Sequence, residues 1–200
     1  MRNQFIKIAA GSALAIIGLA QAANGQAPAA APAAPVSTVV AKPTYVSIPM
    51  EITVNRPAAE VWKRVGKYCD IGEWFQLNCT IIAGKDGELG AVRSVANEVL
   101  VGKTELSYTY TQPVREGRPY NLYHGTLEAR PVTATTSKLV YNLMFDNSML
   151  ADDAARDRDI AAKTTQFTTA LQNMKILAEG GTLPPPAAKG GKGKGGPPKQ

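Results

Sequence analysis

Between positions 46 and 54, Val46, Ile48, Met50, Ile52 and Val54 alternate with Ser47, Pro49, Glu51 and Thr53. A period of two sends successive side chains to opposite faces, so this stretch predicts a half-buried strand. Pro49 has no N–H to give to a ladder, which places the strand at a sheet edge or on a bulge. The period then changes. Pro57 suits the first turn of a helix, and Val61, Trp62, Val65 and Cys69 fall on one side of a helix predicted over 58–68. A second, shorter helical piece is expected around 71–75. From there the chain reads as strands over 79–83, 91–96, 98–101, 105–112, 120–130 and 138–146, with turn chemistry at 84–87, 116–117 and 133–137. Links this short imply an antiparallel meander. The last element returns to a helical period: Ile160, Thr164, Phe167, Leu171, Met174 and Ala178 form one stripe of a helix predicted over 152–179. Asp152 and Asp153 suit the positive end of its dipole, and Gly180 and Gly181 stop it.

This order predicts an α+β domain over 44–182: a curved antiparallel sheet of about six to seven strands, two short helices after the first strand, and a long C-terminal helix on one face. The flanks differ in kind. Arg2 and Lys7 precede an apolar run of thirteen residues, 8–20, broken by Gly11, Ser12 and Gly18. A membrane-spanning helix needs about 20 apolar residues, so 1–27 reads as a secretory signal, with cleavage after Ala22 or Ala27. The expected destination is the periplasm or the exterior. An Ala/Pro-rich spacer over 28–43 and a Pro/Gly/Lys-rich tail over 183–200 have no composition for a core.

Charge and cysteines narrow the function. The formal charge is +6, yet all sixteen acidic residues lie between Glu51 and Glu179, and the stretch from Lys42 to Lys175 holds as many basic ones. The excess sits in the signal and in Lys189, Lys192, Lys194 and Lys199 of the tail, so nucleic acid is not an expected partner of the folded part. The tail reads as a solvated segment, with weak attraction to anionic surfaces as the alternative. Cys69 and Cys79, in a chain sent to an oxidising compartment, predict a disulfide. One histidine in the whole chain leaves no ligand set for zinc, and neither metal nor cofactor is expected.

The phrases ITVNRPAAEVWKRVGKYCDIGEWF, GELGAVRSV, LSYTYTQP and YHGTLEARPV, followed by a long helix, resemble the SRPBCC or START-like superfamily over about 44–180. That superfamily includes polyketide cyclase/dehydrase-type and lipid-transfer proteins. The resemblance implies a helix-grip fold, with a cavity for an apolar or amphipathic molecule between the sheet and the last helix.

Beside the resemblance, the residues themselves give few catalytic arrangements. No G-x-S-x-G, H-E-x-x-H or strand-borne G-x-G-x-x-G occurs. His124 is the one candidate proton shuttle, and alternation groups it with Leu122, Thr126 and Glu128. Tyr108 and Tyr110 share a face with Leu106, and Tyr141 shares one with Leu139, Leu143 and Phe145. Rings with hydroxyl tips suit a pocket that holds an apolar body and orients it by a few polar contacts, or else fill the core. Arg93 would pair with a ligand carboxylate or enolate, or with Glu98 or Glu105. The resemblance places Trp74 at the cavity mouth, with a plain packing role as the alternative. The ligand-binding candidates are therefore Trp74, Arg93, Tyr108, Tyr110, His124 and Tyr141. The leading expectation is a periplasmic binding or carrier protein for a small hydrophobic ligand. A cyclase/dehydratase using His124 and an accessory protein of a periplasmic redox enzyme are the alternatives.

Overall fold

A computed structural model describes residues 40, 42–115 and 117–185; the expected signal, most of the spacer and the lysine-bearing tail lie outside them. The elements run β1 (Tyr45–Val54), α1 (Ala58–Val65), α2 (Ile71–Trp74), β2 (Ile81–Ala83), β3 (Val92–Arg93), β4 (Glu98–Lys103), β5 (Ser107–Thr111), β6 (Tyr123–Pro131), β7 (Ser137–Asp146) and α3 (Asp153–Ala178). All seven strands form one antiparallel sheet in the order β1-β7-β6-β5-β4-β3-β2. Strands β2 to β7 are a meander, and β1 joins it beside β7. This is the α+β helix-grip arrangement that the order of elements implied.

The edge position of β1 explains Pro49. Its register against β7 is unbroken, with Pro49 opposite Asn142, so no bulge is needed to hide the missing donor. Alternation along β6 and β7 is equally plain. Tyr123, Gly125, Leu127 and Ala129 are buried beside Leu139, Tyr141, Leu143 and Phe145, while the intervening residues of β6 are half-exposed.

Helix α3 starts where Asp152 caps it, its carboxylate accepting from Ala155 N at 2.7 Å, and it ends before Gly180 at φ 91°. Phe167, Ala170, Leu171, Met174 and Leu177 are its buried face, against β1, β7, α1 and α2. The predicted stripe is therefore present. Its early members Ile160 and Thr164 are only half-buried.

Helix α1 is shorter than predicted. It ends at Val65, and Gly66 follows because the Trp62 ring folds back over it; a Cβ at Gly66 would strike that ring. Lys67 N then donates to Asp70 Oδ2 at 2.8 Å in a tight turn, which removes Cys69 from the helical stripe and turns it toward Cys79. The two cysteines form the expected disulfide, with Cα atoms 5.5 Å apart. No helix among the described residues is long and apolar enough to cross a membrane.

Candidate functional site

The space between α3 and the sheet is occupied by side chains. Tyr141 lies 4.7 Å from Phe167 between ring centres, Phe75 lies 5.3 Å from Phe167, and Trp74 lies 4.8 Å from Phe75. Asn173 Nδ2 donates to Trp74 O at 2.9 Å and ties α2 to α3. Trp74, Leu139, Tyr141, Leu143, Phe145 and Met174 are each 0 % exposed, so no water-sized void touches them. The cavity that the resemblance implied beneath the last helix is thus filled by an aromatic core in this chain. Trp74 belongs to that core rather than to a cavity mouth.

Tyr110 and Tyr141 also sit within this packing. Tyr141 Oη donates to Tyr110 Oη at 3.0 Å, deep in the sheet's inner face. Gly125, opposite Tyr110 in the β5–β6 register, makes the seat for that ring, since a Cβ there would collide with it. Burial raises both phenols well above the ordinary tyrosine value.

Arg93 is wholly buried, and its partner is Glu98. A reversal through Ala96 and Asn97, both at positive φ, brings β4 back along β3 and sets the two side chains together. Arg93 Nε donates to Glu98 Oε2 at 2.6 Å and Nη1 to Tyr68 O at 2.7 Å. Glu98 Oε1 accepts from Gln112 Nε2 at 2.9 Å. Both Glu98 oxygens act as acceptors, as a carboxylate requires. Of the two pairings open from sequence, the protein uses this one, and the guanidinium charge is already matched.

His124 faces the other way. In β6 it stands between Tyr123 and Gly125, both buried under the helices, so its own side chain lies on the outer face, opposite Thr111 and Met144. The strand's phase thus separates it from every inner-face residue discussed above. A cavity base at His124 is ruled out by that phase. Among the described residues no group of three or more His, Cys, Asp and Glu is placed to hold a metal.

An open hollow does exist, at a different place. The helices cover β1, β6 and β7, and leave part of the inner face of the β4–β5 wing bare. There a cleft of about 510 Å³ is lined by Trp62, Lys67 and Tyr68 from α1 and its following turn, and by Leu100, Ser107 and Tyr108 from the wing. Its volume is in the range of small-molecule sites. Lys63, Lys103, Asp86 and Glu105 stand at its rim, with Lys103 Nζ donating to Gly87 O at 2.6 Å across the opening. The Trp62 and Tyr108 rings are 5.6 Å apart, and Tyr68 meets Tyr108 edge to face at 5.5 Å.

Of the six residues singled out from sequence, only Tyr108 lines this cleft. Trp74, Tyr110 and Tyr141 form the core, Arg93 lies beneath Tyr68 and Tyr110 at 4.4 and 4.7 Å from their ring centres, and His124 is outside. Trp62 and Tyr68 were missed. Trp62 carried the signature of a core stripe, and Tyr68 was read into a helix that stops three residues earlier. The glycine directly after the stripe was the available signal that the chain turns there.

No family profile matches the sequence, and no curated protein matches it. Solved structures do. A protein of Thermobifida fusca determined by solution NMR is 23 % identical, with a TM-score of 0.56 over 68 % of this chain and 97 % of its own. The di-domain aromatase/cyclase BexL from the BE-7585A biosynthetic pathway is 20 % identical, with a TM-score of 0.51 over 67 % of this chain and 46 % of its own. The Zhui aromatase/cyclase from a Streptomyces species is 16 % identical, with a TM-score of 0.50 over 70 % of this chain and the whole of its own. At these identities the likeness is one of fold.

Proposed function

From a chain that carries the helix-grip fold of SRPBCC, START-like proteins, we propose that it is an exported binding protein. Its ligand would be a small apolar or amphipathic molecule held in the cleft between α1 and the β4–β5 wing. The observation that carries the reading is the cleft itself: open, aromatic-walled and continuous with inner-face residues Leu100 and Tyr108. A binding role is favoured over catalysis because the one candidate proton shuttle, His124, lies on the opposite face of the sheet. The fold neighbours named as aromatase/cyclases support a small organic ligand in broad terms.

Export to the periplasm or beyond is supported by the layout of residues 1–27 and by the Cys69–Cys79 disulfide, a bond that persists in oxidising compartments. Fractionation of cells, with mass spectrometry of the mature N-terminus, tests it. A chain that keeps Met1 and stays in the cytoplasm overturns the location.

For the ligand site, titration with the apolar fluorophore 1-aminoanthracene is the direct test. Saturable binding that weakens about tenfold in Trp62→Ala is expected, since loss of an aromatic wall removes on the order of 1.5 kcal/mol of apolar burial. Failure of the unaltered protein to bind, or equal binding by the variant, contradicts the assignment.

A further inference from the structure

Arg93 lies under the cleft without reaching it. Its side chain is 0 % exposed, so it touches no ligand, yet its guanidinium holds parts of both walls. On one side, Nη1 donates to Tyr68 O at 2.7 Å and fixes the turn that follows α1. On the other, Nε donates at 2.6 Å to Oε2 of Glu98, the first residue of β4. Glu98 Oε1 in turn accepts from Gln112 Nε2 at 2.9 Å, just past β5. The wall made by Leu100, Ser107 and Tyr108 belongs to these two strands. The Tyr108 hydroxyl is within hydrogen-bonding reach of the guanidinium. Tyr68 and Tyr108, which meet edge to face at 5.5 Å, have their ring centres 4.4 and 5.8 Å from its carbon.

Stability alone does not call for this arrangement. Two charges taken out of water regain their lost hydration only through well-formed bonds, and an apolar pair of equal volume fills such a place as well. A guanidinium adds geometry: its rigid, planar fork reaches several partners in fixed directions, which one ammonium on a flexible stem does not. Fixed geometry matters at this position. Helix α1 packs mainly on β6, β7 and α3, so its distance from the β4–β5 wing is not set by backbone packing between them. Across the cleft the two walls meet through the Trp62–Tyr108 and Tyr68–Tyr108 ring contacts, and Arg93 ties the second pair from below.

Resting on the cleft as the binding site, we infer that Arg93, paired with Glu98, is a positioning residue that sets the spacing of the two walls. The cleft is thereby preformed, and an apolar ligand enters without having to order Tyr68 and Tyr108 itself.

Titration with 1-aminoanthracene, well below each melting midpoint, tests this on three variants. Arg93→Met combined with Glu98→Gln removes both charges at similar size and leaves no lone buried ion. It should bind about tenfold more weakly than the unaltered protein, since the ligand must now order both rings. Arg93→Lys keeps a charge beside Glu98 but loses the bond to Tyr68 O, and should bind about threefold more weakly. Asp152→Ala is the control: it removes the α3 cap, which is no part of the cleft, and should lower the melting temperature while leaving the dissociation constant unchanged. Weakening confined to the Arg93 variants supports the inference. Unchanged affinity in the Arg93 variants, or a loss that Asp152→Ala shares, assigns the ion pair to stability alone and overturns the inference while the cleft stands. If the double variant does not fold, Arg93→Lys decides by the same two outcomes. Failure of the unaltered protein to bind overturns the cleft and the inference together.

Discussion

Gly125 shows how one missing Cβ shapes the interior. The Tyr110 ring lies over it and reaches Tyr141 with a hydrogen bond, so the side chains that fill the grip depend on a bare backbone position in β6. Gly125→Ala should cost about 1 to 3 kcal/mol by overpacking, read as a lower denaturation midpoint in urea. An unchanged midpoint would mean that Tyr110 has room to move. The buried phenols make a second prediction. Tyr108, Tyr110 and Tyr141 are raised above the ordinary value by burial, whereas the unfolded chain ionises near pH 10. The unfolded state therefore gives up protons first, and stability is kept below about pH 10 and falls as the pH rises beyond it. Phenolate absorbance should appear in part while the fold persists, and the remainder only with unfolding. Ionisation of all seven tyrosines near pH 10 in folded protein would contradict this burial.

Between residues and the whole stand the elements, and here the turn after α1 carries most weight. It is held by the Cys69–Cys79 bond, by Lys67 N to Asp70, and by the Arg64–Glu73 ion pair at 2.6 Å, and it presents Tyr68 to the cleft. The surface ion pair contributes little, so the disulfide is the main tether. The Cys69→Ser, Cys79→Ser double variant should lose about 2 to 3 kcal/mol in urea unfolding, with no loss expected if the turn is held by packing alone. At the other end of the chain, Asp152→Ala removes the α3 cap and should cost about 1 kcal/mol. A melting temperature equal to that of the unaltered protein would contradict it.

What the sequence made legible follows the same physics. Period-two and helical patterns were plainest in β1, β5, β6, β7 and α3, because one face of each is buried. The alternation through Tyr123 to Ala129 also contained the answer for His124, since its companions Thr126 and Glu128 are polar and mark an outer face. Filling of the grip was not legible. Whether Tyr110, Tyr141 and Trp74 line a space or close it depends on distances across the sheet that no local pattern encodes.

At the scale of the whole molecule, two regions compete for the role of ligand site. One is the region beneath α3, where the sequence resemblance placed a cavity and where this chain packs Trp74, Tyr141 and Phe167. The other is the wing, which α1 covers only in part and where Trp62, Tyr68 and Tyr108 stand around open space. The solidity of the first and the open volume of the second point the same way. Mapping amide shifts of isotope-labelled protein during titration with 1-aminoanthracene decides between them. The account predicts that changes gather at Trp62, Gly66, Lys67, Tyr68, Leu100, Lys103 and Tyr108. Changes centred on Tyr141, Phe167 and Met174 would show instead that the core opens to admit the ligand, and would contradict it.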